Sequence, residues 1–355
     1  MEIHYFTKYS RKGASSRLRS YQYFTYFEKN DFNIKVYPLF DDNYLENLYQ
    51  GKKSITKIFS AYLSRCWLLR KISKADFIVI EKELFPYFPS WIEQFLKLCG
   101  IKYIVDYDDA IFHNYDLSSN KWVRRLLSKK IDRVMAASNT VIAGNKYLKN
   151  RAMKARAKNI EIIPTVIEAH RYQKKEFYNS TQPIVIGWIG SPSTLKYLNP
   201  LIGVFKSLAE NYPINVHVIG AASYQLDLPT SMVNYIDWKE ETEALQIAKF
   251  DIGIMPLDDT PWAKGKCAYK LIQYMACGLP IIASPVGMNQ EVICNGKNGF
   301  LATTHEEWYK ALEKYILDCD LRNQHGQEGY EIVQEKFTVN SQLHKWFNVF
   351  LNAYN

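Results

Sequence analysis

Short apolar runs rich in Ile, Val, Phe and Tyr recur along this chain, spaced widely enough to hold a helix between each pair. EIHYF (2–6), NIKVYPL (33–39), DFIVI (76–80), KYIVD (102–106), TVIAG (140–144) and IEIIP (160–164) make a first series. Continuous rather than alternating apolar runs suit strands buried on both faces, the condition inside a parallel sheet covered by helices. A polar stretch, RYQKKEFYNSTQP (171–183), interrupts the pattern. It then restarts with IVIGWIG (184–190), NVHVIG (215–220), VNYID (233–237), DIGIMPL (251–257), PIIAS (280–284) and GFLA (299–302).

Alternating strands and helices in two rounds restrict the chain to the α/β class and predict two Rossmann-like domains, 1–172 and 180–337, facing each other across a cleft. With 355 residues the chain is long enough for two such cores. Ligands are expected where the strands end. No apolar run approaches the 18 residues of a membrane span, and MEIHYFTKY lacks the pattern of a signal peptide, which predicts a cytoplasmic protein. Six scattered cysteines without a CxxC pair read as reduced thiols, neither a disulfide framework nor a zinc site.

The net charge of +9 is unevenly placed. Residues 1–170 carry 29 Lys and Arg against 17 Asp and Glu, and the remainder carry 16 against 19. A basic surface suits nucleic acid, an anionic membrane or an anionic substrate, so motifs must choose. GxGxxG and GxxxxGK[ST] are both missing, which argues against a dinucleotide or P-loop site. No nucleic-acid recognition motif accompanies the charge, and none is expected to bind.

The most informative segment runs from 251 to 302. A buried strand ends in a loop holding Lys264, Lys266 and Lys270, a helix follows to Gly278, and a short strand ends near Pro285 and Gly287. Lysines beside a helix start, with free backbone N–H groups, form a seat for a diphosphate. A solvated basic loop is the alternative. The stretch KLIQYMACGLPIIASPVGMNQEVI, followed by NGKNGFLA, resembles the donor-site region of glycosyltransferase family 4, whose members have the two-domain GT-B fold. The chain is most similar to a bacterial surface-polysaccharide subgroup with K-G-K-C-x-[FY]-K-x-x-Q-Y-M-A.

The resemblance implies a nucleotide-sugar donor held by the second domain and an acceptor held by the first. It implies that Lys266 and Lys270 face the donor diphosphate, and that Glu291 or the Gly287–Asn289 amides meet the sugar or its phosphate. Two family glutamates that contact sugar and ribose fall here on Gly265 and Gln273. Gln273 can still offer an amide to ribose, whereas a glycine offers no side chain. The turn GWIGSPSTLKYL (187–198) ends a strand at Gly190, where family members carry a basic pair. Lys196 matches the second of that pair and Ser191 replaces the first, with Lys264 expected to compensate.

In the first domain, KYSRKGASSRLRSYQYF (8–24) places Gly13 and Ser15 after the first strand, among Arg11, Lys12, Arg17 and Arg19. It resembles the loop that lies under donor phosphates in GT-B enzymes, and a solvated basic loop stays open beside that reading. YIVDYDDAIFHNYD (103–116) ends a strand in carboxylates, of which Asp108 and Asp109 are expected to orient or deprotonate an acceptor hydroxyl. His113 is a lesser candidate. No metal is expected, since GT-B enzymes generally need none. The final segment, 338–355, is expected by the same analogy to pack back on the first domain as a helix.

Two basic amphipathic stretches, 51–74 and 120–135, interleave Lys and Arg with Trp, Leu, Ile or Phe at helical spacing. They fit peripheral contact with an anionic leaflet, or simply helices packed on one face and solvated on the other. The combined expectation is a retaining hexosyltransferase acting on a glycan or lipid-linked glycan acceptor in surface polysaccharide or lipopolysaccharide synthesis. A GT-B sugar-nucleotide epimerase and a catalytically silent binding or scaffold protein are the rivals.

Overall fold

The computed structural model describes residues 1–49, 51–52, 54–175, 183–221 and 225–354. The middle of the expected polar link, 176–182, and Lys53 of the first amphipathic stretch therefore lie outside the described residues. The chain divides into two compact units.

Unit 1 comprises Met1–Thr165, Gly265–Cys267 and Gln342–Asn355. Its sheet holds β1 (Glu2–Phe6), β2 (Asn33–Val36), β3 (Phe77–Glu81), β4 (Tyr103–Tyr107), β5 (Thr140–Ala143) and β6 (Ile160–Ile162) in the order β2-β1-β3-β4-β5-β6. All neighbours are parallel. Strands β3 and β4 are buried along their whole length, as their unbroken apolar sequences require. Because β2 lies on one side of β1 and β3 on the other, the connections leave in opposite directions and open a crevice at the C-terminal ends of β1 and β3. From Gln342 onward the helix Val339–Tyr354 belongs to this unit, with Trp346 against Tyr23 and Phe27 and Phe350 against Phe32 and Phe77.

Unit 2 comprises Val166–Lys264 and Ala268–Ser341. Its sheet holds β7 (Ile184–Ile189), β8 (Ile214–Ile219), β9 (Val233–Ile236), β10 (Ile252–Met255), β11 (Ile281–Ala283) and β12 (Gly299–Leu301), ordered β12-β11-β10-β7-β8-β9 and again parallel. Here the reversal falls between β7 and β10. Trp188, Phe205, Ile254, Trp308 and Tyr315 pack the core on one face of the sheet.

Three local expectations change. The start of the polar link is tied down, since Lys175 pairs with Asp251 at 2.7 Å and Arg171 donates to the Glu240 carbonyl at 2.7 Å. The amphipathic stretch 120–135 is two helices, Lys121–Leu127 and Lys130–Ala137, because Lys130 turns inward to the Glu83 carboxylate and the Phe85 carbonyl. The stretch 51–74 is one helix, Ile55–Leu68, followed by a tighter turn from Leu69 to Lys74. Among the described residues, no helix is long and apolar enough to cross a membrane.

Candidate active-site groups in each unit

In unit 1 the crevice beside β1 and β3 is filled with charge. The loop after β1 enters a helical run, 14–28, whose segment Arg17–Tyr21 is wound as a π-helix. The run brings Ser15, Ser16 and Arg19 to the strand ends. The Ser15 hydroxyl donates to Asp108 Oδ2 at 2.6 Å, and the Ser16 hydroxyl to Glu81 Oε1 at 2.9 Å. Arg19, only 1% exposed, grips Asp106 with two nitrogens at 3.0 and 2.5 Å and donates to the Ile163 carbonyl at 2.8 Å. Lys82 Nζ lies 2.9 Å from Asp108 Oδ1, on a backbone with φ of 65°. The solvated-loop reading of 8–24 thus fails for Arg17 and Arg19, which are buried, and holds for Lys12, which stays exposed and pairs with Glu46.

These carboxylates are driven apart. Burial works to raise Asp108, but Lys82 and Arg19 outweigh it and hold the group below its ordinary value. Asp109 is raised, first by burial and then by the charge of Asp108. Glu81 is pushed up to about 7, chiefly by burial, and its Oε2 is a buried acceptor without a hydrogen bond. One carboxylate is held ionised while its neighbours are shifted up toward neutrality, a pattern that suits acid-base work.

Gly265–Cys267 completes this unit. Asn145 caps the helix Lys146–Lys154 with its side-chain oxygen and donates from Nδ2 to the carbonyls of Gly265 at 2.9 Å and Lys266 at 3.1 Å. The Cys267 thiol donates to the Asp108 carbonyl at 2.8 Å, and burial pushes it up to about 12, so it is an inert thiol. The glycine at 265 has a steric cause. A Cβ there would stand 2.4 Å from Ala110 Cβ and 2.7 Å from its backbone nitrogen. Lys266 is close enough to Asp109 to favour its ionised form. His113 is held between Asp116 at 2.7 Å and Tyr147 at 2.9 Å, a structural setting.

In unit 2, β7 delivers Gly190 to the crevice beside β10. Lys270, near the start of the helix Tyr269–Ala276, places Nζ 4.1 Å from the Trp188 ring centroid. A Cβ on residue 190 would come within 2.6 Å of that Nζ and of the Trp188 ring, so glycine is what admits the lysine. Ser191 lies with Ser193 at the start of the 192–201 turn, their hydroxyls 3.0 Å apart, and Lys196 rests over Tyr197. Lys264 pairs with Asp259 at 3.0 Å, and Gly287 (φ 54°) packs against the Lys264 backbone. Glu291 is exposed on the short helix Asn289–Val292. Beyond β10, β11 and β12 a depression of about 150 Å³ is walled by Tyr197, Pro256, Asp258, Ser284, Thr303 and His305.

Gln273, expected to reach a ribose, is 2% exposed and gives its amide hydrogens to Glu243 Oε1 at 2.7 Å and the Tyr172 hydroxyl at 3.0 Å. The Trp238 indole donates to the same Glu243 carboxylate. Sequence reading also missed the Arg19–Asp106 pair, Lys82, Glu81 and Asn145. The available signal was the period-two spacing of Asp106 and Asp108 at the end of β4, opposite hydroxyls and a cation one helical turn apart. Among the described residues no three of His, Cys, Asp or Glu converge as a metal site.

Residues 170–332 match the family described as Glycosyl transferases group 1. An uncharacterized glycosyltransferase of Methanocaldococcus jannaschii is 26% identical over 271 residues, 72% of this chain and 66% of that protein, so the chain spans slightly less than two thirds of this relative. Among solved structures, sucrose-phosphate synthase from Thermosynechococcus elongatus superposes with a TM-score of 0.71 at 14% identity, covering 99% of this chain and 100% of that one. Anabaena HepE in complex with UDP-glucose gives 0.65 at 14% identity, covering 98% and 100%. Residues 170–332 are thus similar to the glycosyl transferases group 1 family, and the two parallel-sheet, Rossmann-like units have the fold of GT-B glycosyltransferases.

Proposed function

We propose that this protein is a nucleotide-sugar-dependent glycosyltransferase of family 4 type. It moves a hexosyl-type sugar to a hydroxyl of a lipid-linked glycan, with retention at the anomeric carbon, in bacterial surface polysaccharide or lipopolysaccharide synthesis. The observation that carries the reading is Lys270. Its ammonium is fixed over Trp188 against Gly190, at the strand-order reversal of the unit that matches the group 1 family. A diphosphate seated there meets a localised cation that strengthens its hold as the leaving group gains charge. Lys196, Lys264 and Lys266 add charge, while Gly287 and Glu291 serve the sugar.

In unit 1, Asp108 and Asp109 bind the acceptor hydroxyl, with Ser15 and Lys82 fixing Asp108. The bond from C1 to the diphosphate breaks as the acceptor oxygen bonds to C1 on the same face. The acceptor proton passes to the leaving diphosphate or to Asp109. No metal takes part. The basic stretches 51–74 and 120–135 keep the protein at the inner face of an anionic membrane, where a lipid-linked acceptor resides.

A thermal-shift screen against UDP, GDP, ADP, CMP and their sugar conjugates, with and without EDTA, tests this. Expected is stabilisation by one nucleoside diphosphate, insensitive to EDTA and lost in Lys270→Ala. UDP is tried first because the similarly folded Anabaena HepE binds UDP and UDP-glucose. Absence of any shift would overturn the donor site. Turnover of the nucleotide sugar to an isomer without acceptor would replace transfer by epimerisation.

A further inference from the structure

Exposed apolar side chains on this protein are not scattered. Of the eighteen most exposed large ones among the described residues, twelve lie between residues 55 and 126 of unit 1. On the helix Ile55–Leu68, four of them, Ile55, Phe59, Leu63 and Trp67, stand four residues apart on one face. The helix Trp91–Leu98 repeats the arrangement with Trp91, Phe95 and Leu98, the last 85% exposed, while it buries Glu93 and Leu96. A helix that buries a carboxylate and exposes a tryptophan, a phenylalanine and a leucine is arranged for a medium other than water.

The two stripes adjoin. The Tyr62 hydroxyl donates to the Pro86 carbonyl at 2.6 Å and its ring meets Phe85, which fixes the first helix against the turn that leads to the second. Along that turn the exposed Phe88 ring packs edge-on to Trp91 at 6.0 Å. Cations surround the apolar face. Lys57, Arg70, Lys71 and Lys74 are exposed, and no Asp or Glu occurs anywhere in 51–74. Lys121, Arg124 and Arg125 flank exposed Trp122 and Leu126 in the same way. Two copies meeting through this face would oppose like charges, whereas an anionic lipid surface complements the cations and accepts the apolar side chains.

We propose that the paired stripes of Ile55–Leu68 and Trp91–Leu98 insert into the interface of an anionic bilayer, with the turn 87–91 as the leading aromatic wedge. This deepens the membrane contact proposed above: it adds residues 87–98, which carry no basic run, and makes apolar insertion rather than surface charge the main hold. Charge then steers and aromatic burial retains.

The test uses the full-length protein in flotation with vesicles of phosphatidylcholine containing about one quarter phosphatidylglycerol. Expected are co-flotation, little binding to phosphatidylcholine alone, and bound protein that survives a salt wash. Phe59→Glu/Leu63→Glu and Trp91→Glu/Phe95→Glu should each reduce partitioning at least tenfold while keeping the wild-type melting temperature. The nucleotide thermal shift, run on the same samples, should be unchanged, which separates loss of the membrane face from loss of the donor site. Binding abolished by the salt wash, or wild-type partitioning in the Trp91/Phe95 variant, overturns the insertion. So does a concentration-dependent dimer in sedimentation that the same variants disperse, since the face would then belong to a second copy.

Discussion

Replacing Gly265 by glutamate restores the residue that the family resemblance expects there, and the structure requires that it do harm. The clash begins at Cβ, 2.4 Å from Ala110 Cβ and 2.7 Å from the Ala110 nitrogen, where no side-chain rotation gives relief. Forcing extra atoms into such a contact costs about 1–3 kcal/mol. Moving the loop instead loosens the two Asn145 hydrogen bonds to the carbonyls of 265 and 266, each worth about 0.5–1.5 kcal/mol. Either route costs about 1–3 kcal/mol, and at roughly 2–4 °C per kcal/mol the melting temperature should fall by several degrees. Calorimetry of wild type, Gly265→Ala and Gly265→Glu measures this. Alanine alone should carry most of the drop, because Cβ carries the clash. An alanine variant that melts with wild type, or a glutamate variant that gains transfer activity, refutes the steric account.

Glu81 supplies a pH-dependent prediction. Its carboxyl sits at about 7, above the ordinary 4.5, so its contribution is fullest below 4.5 and is lost as the pH rises through 7. Glu81→Gln should therefore gain stability relative to wild type at pH 8 and not at pH 4, by up to the order of 3 kcal/mol in urea titrations; equal differences at both pH values would count against it. If raised Asp109 takes the acceptor proton, kcat/KM should climb with pH through a limb above the usual carboxylate range, and Asp109→Asn should remove that limb. A limb that persists in the variant belongs to another group. Arg19→Met leaves Asp106 buried without its cation and should cost about 3–5 kcal/mol in denaturant unfolding, partly recovered by adding Asp106→Asn; a loss under 1 kcal/mol would remove the pair from the framework.

Each of the twelve strands among the described residues was legible as an apolar run, most plainly β3 and β4, whose burial on both faces leaves no polar period to hide them. Helix faces were less legible. Periodicity finds a stripe but not which side meets the core: the helix Trp91–Leu98 buries Glu93 and Leu96 and exposes Trp91, Phe95 and Leu98. Charges at strand ends were readable singly, as with Asp108, but not in pairs: Arg19 and Asp106 are 87 positions apart, and only the fold juxtaposes them. Gln273 shows the reverse limit. Its place in a motif suggested a ligand, while its amide is spent on Tyr172 and Glu243, residues no local pattern links to it.

The return of Gln342–Asn355 to unit 1 bears on how the chain acquires its shape during synthesis. Tyr23, Phe27 and Phe32 emerge from the ribosome more than 300 residues before Trp346 and Phe350, the rings that cover them. Until those last residues arrive, the first sheet waits with an open aromatic flank, while nearly all of unit 2 can already close on itself. Nascent chains should hold a folded unit 2 while unit 1 is unfinished, and chaperones would find their binding surface on the aromatic flank of Tyr23, Phe27 and Phe32.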